Sequence, residues 1–216
     1  MTVRGQNVKR LEIIGTMLLS VASVAVAWCS YQSSLWNGQQ VFRLAESNLY
    51  YRRSQAELTK VSQQQIVDAA ITINFMEAVV EKRRLRINYY HDRKDQSQLL
   101  TILNSWLTMN PLQNDKAPVT PLQMEEYQHL IKSSLAPSDS ANITAERLWK
   151  ESEYDNGVSD KYILCTVIFS IVMFLAAMAT KLSNTRLAFG FMAFACTIFF
   201  TALMLLLLLM PMEGLS

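Results

Sequence analysis

Residues 13–27 read IIGTMLLSVASVAVA, and this stretch decides the fold because it is apolar and carries no charge. The uncharged region continues to Phe42, so it exceeds the roughly 20 residues that a helix needs to cross about 30 Å of hydrocarbon. A cleaved signal peptide has a shorter apolar core followed by a polar start, whereas Trp28, Tyr31 and Trp36 follow here, as in an interfacial aromatic belt. The stretch therefore predicts a retained transmembrane helix.

Two further uncharged apolar runs lie near the C-terminus, Tyr162–Thr180 and Leu187–Met210. Each is near or above the spanning length, and the short basic turn Lys181–Arg186 separates them. This pattern predicts a transmembrane hairpin. Because no span carries a charge in its interior, the pattern argues against a proton relay or a coupled ion transporter of the usual kind.

Basic residues predict the orientation of the spans. Arg4, Lys9 and Arg10 precede the first span, and Lys181 and Arg186 lie in the turn between the second and the third. Since short cytoplasmic segments are enriched in lysine and arginine, both segments are expected in the cytoplasm. The N-terminus is then cytoplasmic and the long insertion after the first span is periplasmic, in a bacterial inner membrane.

The sequence thus predicts an all-α fold with three transmembrane helices and a helical extramembrane insertion between the first and the second. Its segments, in chain order, are a basic N-terminal segment (1–11), transmembrane helix 1 with its interfacial exit (12–36), the helical extramembrane domain (37–160), transmembrane helix 2 (161–181), a short basic turn (182–186), transmembrane helix 3 (187–210) and a C-terminal tail (211–216).

The extramembrane domain begins with a long segment, from Gly38 to Asn110, whose interior contains neither glycine nor proline. Apolar residues recur there in steps close to a heptad pattern: Leu58, Val61, Ile66, Ala69, Ile73, Met76, Val80 and Ile87. Such a seam predicts long helices. It suits either packing against later helices of the same chain or self-association around a symmetry axis, as in a coiled coil.

Breaks are predicted in the second half of this domain. Three prolines and an Asn-Asp pair in Asn110–Pro121 indicate an irregular connection, after which a helix is expected over Pro121–Ala136. Pro137 and the following Ser-Asp-Ser separate it from a short helix at Thr144–Tyr154, with Asn156-Gly157 as the stop.

Composition and motifs exclude several classes of function. A net charge of +2 and a pI near 8.4 reflect near-equal numbers of acids and bases, so no global field would attract nucleic acid. The sequence has no glycine-rich phosphate loop, no His-Glu-x-x-His and no Gly-x-Ser-x-Gly. Its three cysteines all lie in apolar runs, which argues against disulfides and a zinc site. We therefore expect no enzymatic activity, no metal and no cofactor.

A basic cluster within thirteen residues is the one candidate anion-binding site, and it is interleaved with tyrosines. Its members are Lys82, Arg83, Arg84, Arg86, Arg93 and Lys94. Arginine binds phosphate bidentately, so lipid head groups, a polyanionic ligand or an acidic partner would each fit. The alternative is a solvated helix end, because the macrodipole alone favours cations near a helix C-terminus.

Small and hydroxylated side chains interrupt the apolar first span. If several copies of the chain assembled around an axis, such a face would become a hydrated path, which makes an ion channel-like homo-oligomer one hypothesis. The candidate pore-lining residues are Glu12, Ser20, Ser23, Gln32 and Gln39. The alternative hypothesis is a non-conducting membrane scaffold or sensor whose helical domain recruits a partner. Membrane lipids are partners in both.

The exit from the first span carries a family resemblance. The stretches AWCSYQ (27–32), SLWNGQ (34–39) and FRLAE (42–46) resemble the signature of a family of small bacterial inner-membrane proteins. The remaining chain is similar to that family only in layout, as a helical insertion followed by a terminal hairpin. This layout is also similar to the membrane effector of the Hailong anti-phage defence.

That second resemblance implies a tetrameric, ion channel-like antiviral effector held inactive by an oligodeoxyadenylate, with this ligand or a nucleotidyltransferase as a partner. A nucleotide made in the cytosol would not reach a periplasmic basic cluster. The resemblance therefore implies either a ligand site around the N-terminal bases and the turn 182–186, or a cytoplasmic insertion in place of the periplasmic one.

Overall fold

The computed structural model describes residues 3–91 and 98–211, and every regular element in these ranges is a helix. The helices are α1 (Val3–Val80), α2 (Arg84–His91), α3 (Gln98–Thr108), a 3-10 turn (Pro121–Gln123), α4 (Glu125–Lys181) and α5 (Thr185–Leu209). The all-α prediction is confirmed.

Three of these helices are long and apolar enough to cross a membrane. The most apolar 18-residue windows of α1, α4 and α5 have mean hydropathies of 1.9, 2.5 and 2.5. These windows lie on the helices where the sequence predicted the three spans, so the chain is a membrane protein with three candidate transmembrane helices.

The chain divides into two compact units, and both boundaries fall inside helices. We call Met1–Glu46 with Arg147–Ser216 the membrane unit, because it holds the apolar ends of α1 and α4 and all of α5, and Ser47–Glu146 the polar unit. The polar unit lies inside the predicted extramembrane segment 37–160.

The core of the membrane unit lies between α1, α4 and α5, and its buried residues have a heptad spacing. Buried residues recur in steps of three and four on α4 and on α5, and several are alanines, which let helix backbones approach closely. The buried side chains are Leu11, Leu18, Ala22, Cys29 and Trp36 on α1, Val158, Tyr162, Cys165, Phe169, Val172, Ala176 and Ala179 on α4, and Ala188, Met192, Ala195, Phe199, Ala202 and Leu206 on α5.

Polar side chains continue the packing of α1 against α4 within the membrane unit. The hydroxyls of Ser33 and Ser159 lie 3.0 Å apart, and both residues are buried. Asp155 is fully buried, and one guanidinium nitrogen of Arg43 lies 2.6 Å from each of its carboxylate oxygens. The pair compensates a charge that would otherwise be costly to bury.

The polar unit has its own core, in which α3 packs against α1. The rings of Phe75 and Trp106 meet edge to face with their centroids 6.5 Å apart, and the indole N–H of Trp106 donates to the carbonyl of Pro118 at 2.8 Å. The buried residues of this core are Phe75, Val79, Leu99, Ile102, Leu103, Trp106, Met124 and Tyr127.

Two predicted breaks are wrong, because α4 runs without interruption through Pro137 and through Asn156-Gly157. A proline inside a helix removes a hydrogen bond and costs about 3 kcal/mol in isolation. Here the next residue, Ser138, is buried and donates to the carbonyl of Ser54 at 3.0 Å. Asp155 and Val158, on either side of Asn156-Gly157, are also buried. Tertiary packing therefore outweighs the local signals for a break.

The predicted seam on α1 is not the face that packs against later helices of the same chain, while self-association along it stays a prediction. Among its eight residues only Val61 is buried, Leu58, Ile66, Ile73 and Val80 are exposed, and Ile87 belongs to α2 because α1 ends at Val80. The face that is buried in the polar unit instead carries Ser47, Ser54, Val61, Asp68, Thr72, Phe75, Ala78 and Val79. A search for apolar periodicity misses this face because three of its first four residues, Ser47, Ser54 and Asp68, are polar.

Candidate functional site

A continuous row of exposed small and polar side chains runs along the first span. We call this row the polar stripe; its members recur in steps of three and four, so they lie on one face of α1. They are Glu12, Thr16, Ser20, Ser23, Ala27, Ser30, Ser34 and Asn37.

The polar stripe is one of three faces of this part of α1. A second face is buried against the other helices of the membrane unit, and a third is exposed but apolar, with Ile13, Met17 and Val24 as examples. With about 100° of rotation per residue, Ser23 and Val24 point roughly 100° apart around the helix. The apolar face suits lipid acyl chains, whereas the polar stripe does not.

Three hydroxyl groups of the polar stripe already donate their protons to the helix backbone. Thr16 donates to the carbonyl of Glu12 at 2.8 Å, Ser20 to that of Thr16 at 2.9 Å, and Ser23 to that of Ser20 at 2.8 Å. Each hydroxyl oxygen keeps acceptor capacity. These three residues can therefore be inserted without orphaned hydroxyl donors and can still accept from water or bind a cation.

The predicted pore-lining residues divide between faces of α1. Glu12, Ser20 and Ser23 lie on the polar stripe, whereas Gln32 is fully buried inside the membrane unit, with 0% exposure. Gln39 is exposed, but it and Gln32 lie about 160° and 180° around the helix from Ser23. A lining face that joins all five residues is therefore incompatible with the helix, and Gln32 is corrected to a core residue.

Three hydroxylated or amide members of the stripe after Ser23 were missed by sequence reasoning. Ser30, Ser34 and Asn37 continue the spacing of Ser20 and Ser23 past the aromatic residues of the interface. A search for small polar residues at heptad intervals, like the one made for apolar residues, would find them.

The basic cluster lies where α1 gives way to α2. Lys82, Arg83, Arg84 and Arg86 are all exposed, while Arg93 and Lys94 lie outside the described residues. Two of the four described cations already have carboxylate partners: Arg83 pairs with Glu81, and Arg86 lies 3.8 Å from Glu77. Because two carboxylates lie beside the four described cations, the net positive charge at this part of the cluster is smaller than its bases alone suggest.

No group of three or more His, Cys, Asp or Glu side chains lies close enough to hold a metal ion within residues 3–91 and 98–211. Comparisons with family models, with curated proteins and with solved structures find no match to this chain. Its function must therefore be inferred from its own residues.

Proposed function

We propose that the chain is one subunit of a homo-oligomeric, ion channel-like membrane pore, with the polar stripe of α1 facing the axis of the assembly. The observation that carries the proposal is the stripe itself. Its eight small or polar residues are all exposed and share one face of the helix, while the other exposed face is apolar. Lipid is a poor solvent for such a face, and a hydrated axis is a good one.

The path belongs between subunits because the interior of each membrane unit is filled. Phe169 and Phe199 are buried between α4 and α5 with ring centroids 5.6 Å apart, and Tyr162 and Val172 are fully buried beside them. A path inside one subunit would have to break this packing, which is costly because protein cores are close-packed. Copies arranged around an axis leave the core intact and bring their stripes together.

Glu12 would set the ion preference of this pore. It is exposed at the N-terminal end of the stripe, so each subunit contributes one carboxylate to a ring at one mouth. Rings of acidic side chains favour cations. With the N-terminus in the cytoplasm of a bacterial cell, as the flanking bases favour, this ring stands at the cytoplasmic mouth and the polar unit is periplasmic.

The proposal extends to a biological role through the resemblance to the Hailong membrane effector. Opening of the pore would depolarise the inner membrane and arrest an infected cell, and an oligodeoxyadenylate would hold the pore closed. Four copies would form the assembly. This extension is separable from conduction, since a pore without a nucleotide ligand would still conduct.

Ion flux through purified protein in liposomes tests conduction. We expect cation flux with the natural chain and at least tenfold less with Ser20→Leu plus Ser23→Leu, because two leucines per subunit would dehydrate the path. Val24→Leu is the matched control, since it enlarges a neighbouring side chain on the apolar face. Glu12→Gln should lower the preference for cations while flux persists.

Three outcomes would contradict the proposal or its extension. Absence of flux in vesicles shown to contain the inserted oligomer excludes a pore. A loss of flux in Val24→Leu equal to that in the double serine variant excludes the stripe as the lining of the pore. Unchanged flux after addition of oligodeoxyadenylate removes the defence extension alone.

A second candidate function is a non-conducting sensor, favoured by a ligand-sized cavity of about 450 Å³ in the polar unit. A protein that shows no flux but changes its partners when this cavity is occupied would support the sensor.

A further inference from the structure

The polar unit contains a cavity of about 450 Å³ between α1, the start of α3 and α4. This volume lies in the range of about 300–1,000 Å³ that small-molecule sites occupy. Leu99, Leu130 and Ile131 form part of its apolar lining, and Gln64 and Asp68 are among its polar residues. The cavity thus combines hydrocarbon walls with a carboxylate.

Asp68 is buried to 2% exposure, yet its hydrogen-bond partners among the described residues are neutral. One carboxylate oxygen accepts from the side-chain amide of Gln64 at 2.7 Å, and the other accepts from the hydroxyl of Tyr127 at 3.2 Å. Burial and the nearby charge of Asp68 raise the pKa of Tyr127 to about 12, so this phenol keeps the proton that it donates at neutral pH. Two neutral donors leave part of the carboxylate's acceptor capacity unused.

Within residues 3–91 and 98–211, no basic side chain forms an ion pair with this carboxylate. Lys60 also lines the cavity, but its ammonium pairs with Glu57 at 2.8 Å and is largely exposed. Asp155 is also a buried carboxylate, but its charge is neutralised by Arg43. A buried carboxylate without a cation is costly, and a ligand that brings one recovers that cost.

We propose that this cavity binds a small organic cation, an amine or amidine whose charged end meets Asp68 and whose hydrocarbon body lies against Leu99, Leu130 and Ile131. A phosphate-bearing ligand is disfavoured by the same carboxylate, so the site differs in kind from the basic cluster. The inference goes beyond the proposed pore and stands without it, because binding is measured on the purified chain in the absence of flux.

Binding of benzamidine to the purified full-length protein in detergent tests the site, with neutral benzamide as the isosteric comparison. We expect saturable binding of benzamidine by calorimetry and a concentration-dependent rise in Tm, with no such effect from benzamide. Asp68→Asn should weaken benzamidine binding by about thirtyfold or more, as expected for loss of a buried charge pair. Asp139→Asn, an exposed change on α4 outside the cavity, should leave binding unchanged.

Leu130→Trp provides a second variant that keeps the carboxylate and fills the cavity, so it should also abolish binding while helical content by circular dichroism is retained. Equal affinity for benzamidine and benzamide would overturn the proposal. Full binding of benzamidine by both Asp68→Asn and Leu130→Trp would also overturn it. So would the absence of saturable binding for all three of benzamidine, phenethylamine and spermidine.

Discussion

Lys82 adopts a left-handed backbone conformation, with φ of 51°. It follows the end of α1, where the N–H of Arg83 donates to the carbonyl of Ala78 at 2.9 Å and the N–H of Lys82 donates to that of Val79 at 3.2 Å. These two bonds form a Schellman motif, which usually places glycine at the left-handed position. The predicted apolar seam continued past this helix end to Ile87, because a lysine and not a glycine occupies the left-handed position, whereas the alternative given for the basic cluster was a helix end.

At this residue, Lys82→Gly should stabilise the polar unit by about 0.5–1 kcal/mol, because glycine has no Cβ to strain the left-handed conformation. Lys82→Ala is the control: it removes the same charge but keeps a Cβ, so it should bring no gain. Denaturant unfolding followed by tryptophan fluorescence measures both. An equal gain in the two variants would assign the effect to charge, and a loss with glycine would contradict the account of this helix end.

At the scale of elements, α1 packs tightly against α4 and α5 at Gly15. A Cβ built on Gly15 would lie 2.7 Å from the γ-methyl of Thr180 and 3.1 Å from the ε-methyl of Met192. Threonine is stiff at χ1, so its methyl group cannot easily move away. A Cβ built on Gly157 in α4 would meet nothing within 4 Å. An added methyl group would therefore clash at Gly15 but fit at Gly157.

This difference predicts opposite signs for the same substitution. Gly15→Ala should destabilise the membrane unit by about 1–3 kcal/mol through overpacking. Gly157→Ala should stabilise it by about 0.5–1 kcal/mol, because alanine has the higher helix propensity and fits the space. Thermal unfolding of the two variants in the same detergent is the comparison. Shifts of the same sign would contradict the close approach at Gly15.

At the scale of the whole molecule, the proposed homo-oligomer would place part of the predicted apolar seam on α1 against a second copy of the chain. Ile66, Ile73 and Val80 recur every seven residues in the polar unit and are 70%, 67% and 62% exposed. Ala69 and Met76 lie between them at heptad positions. Copies inserted in one orientation in a membrane would meet along this seam in parallel, as the strands of a coiled coil do.

Ile73→Lys should weaken self-association by about tenfold or more, since burial of an isoleucine contributes about 1.5–3 kcal/mol. Ile143→Lys is closely matched, because Ile143 is also 67% exposed but lies on α4, away from the heptad positions of α1. Multi-angle light scattering of the two proteins in detergent gives the number of copies. A monomeric natural chain, or equal weakening by both substitutions, would contradict the seam.

The sequence by itself determined the all-α class, the three apolar spans and the hairpin formed by α4 and α5. These features depend on local sums of hydropathy over about 20 residues, which need no knowledge of distant contacts. It also placed Glu12, Ser20 and Ser23 among the candidate pore residues, and the structure puts them on one exposed face. Their role in conduction stays a prediction.

Only the tertiary structure decided which face of α1 is buried, that α4 continues through Pro137, and that Gln32 and Asp68 lie inside. The physical reason is that the core contains long-range pairs of polar residues, such as Ser54 with Ser138 and Ser33 with Ser159. Hydropathy alone assigns such residues to the surface. A serine or an aspartate can lie in the core when partners, near or distant in the chain, satisfy its hydrogen bonds.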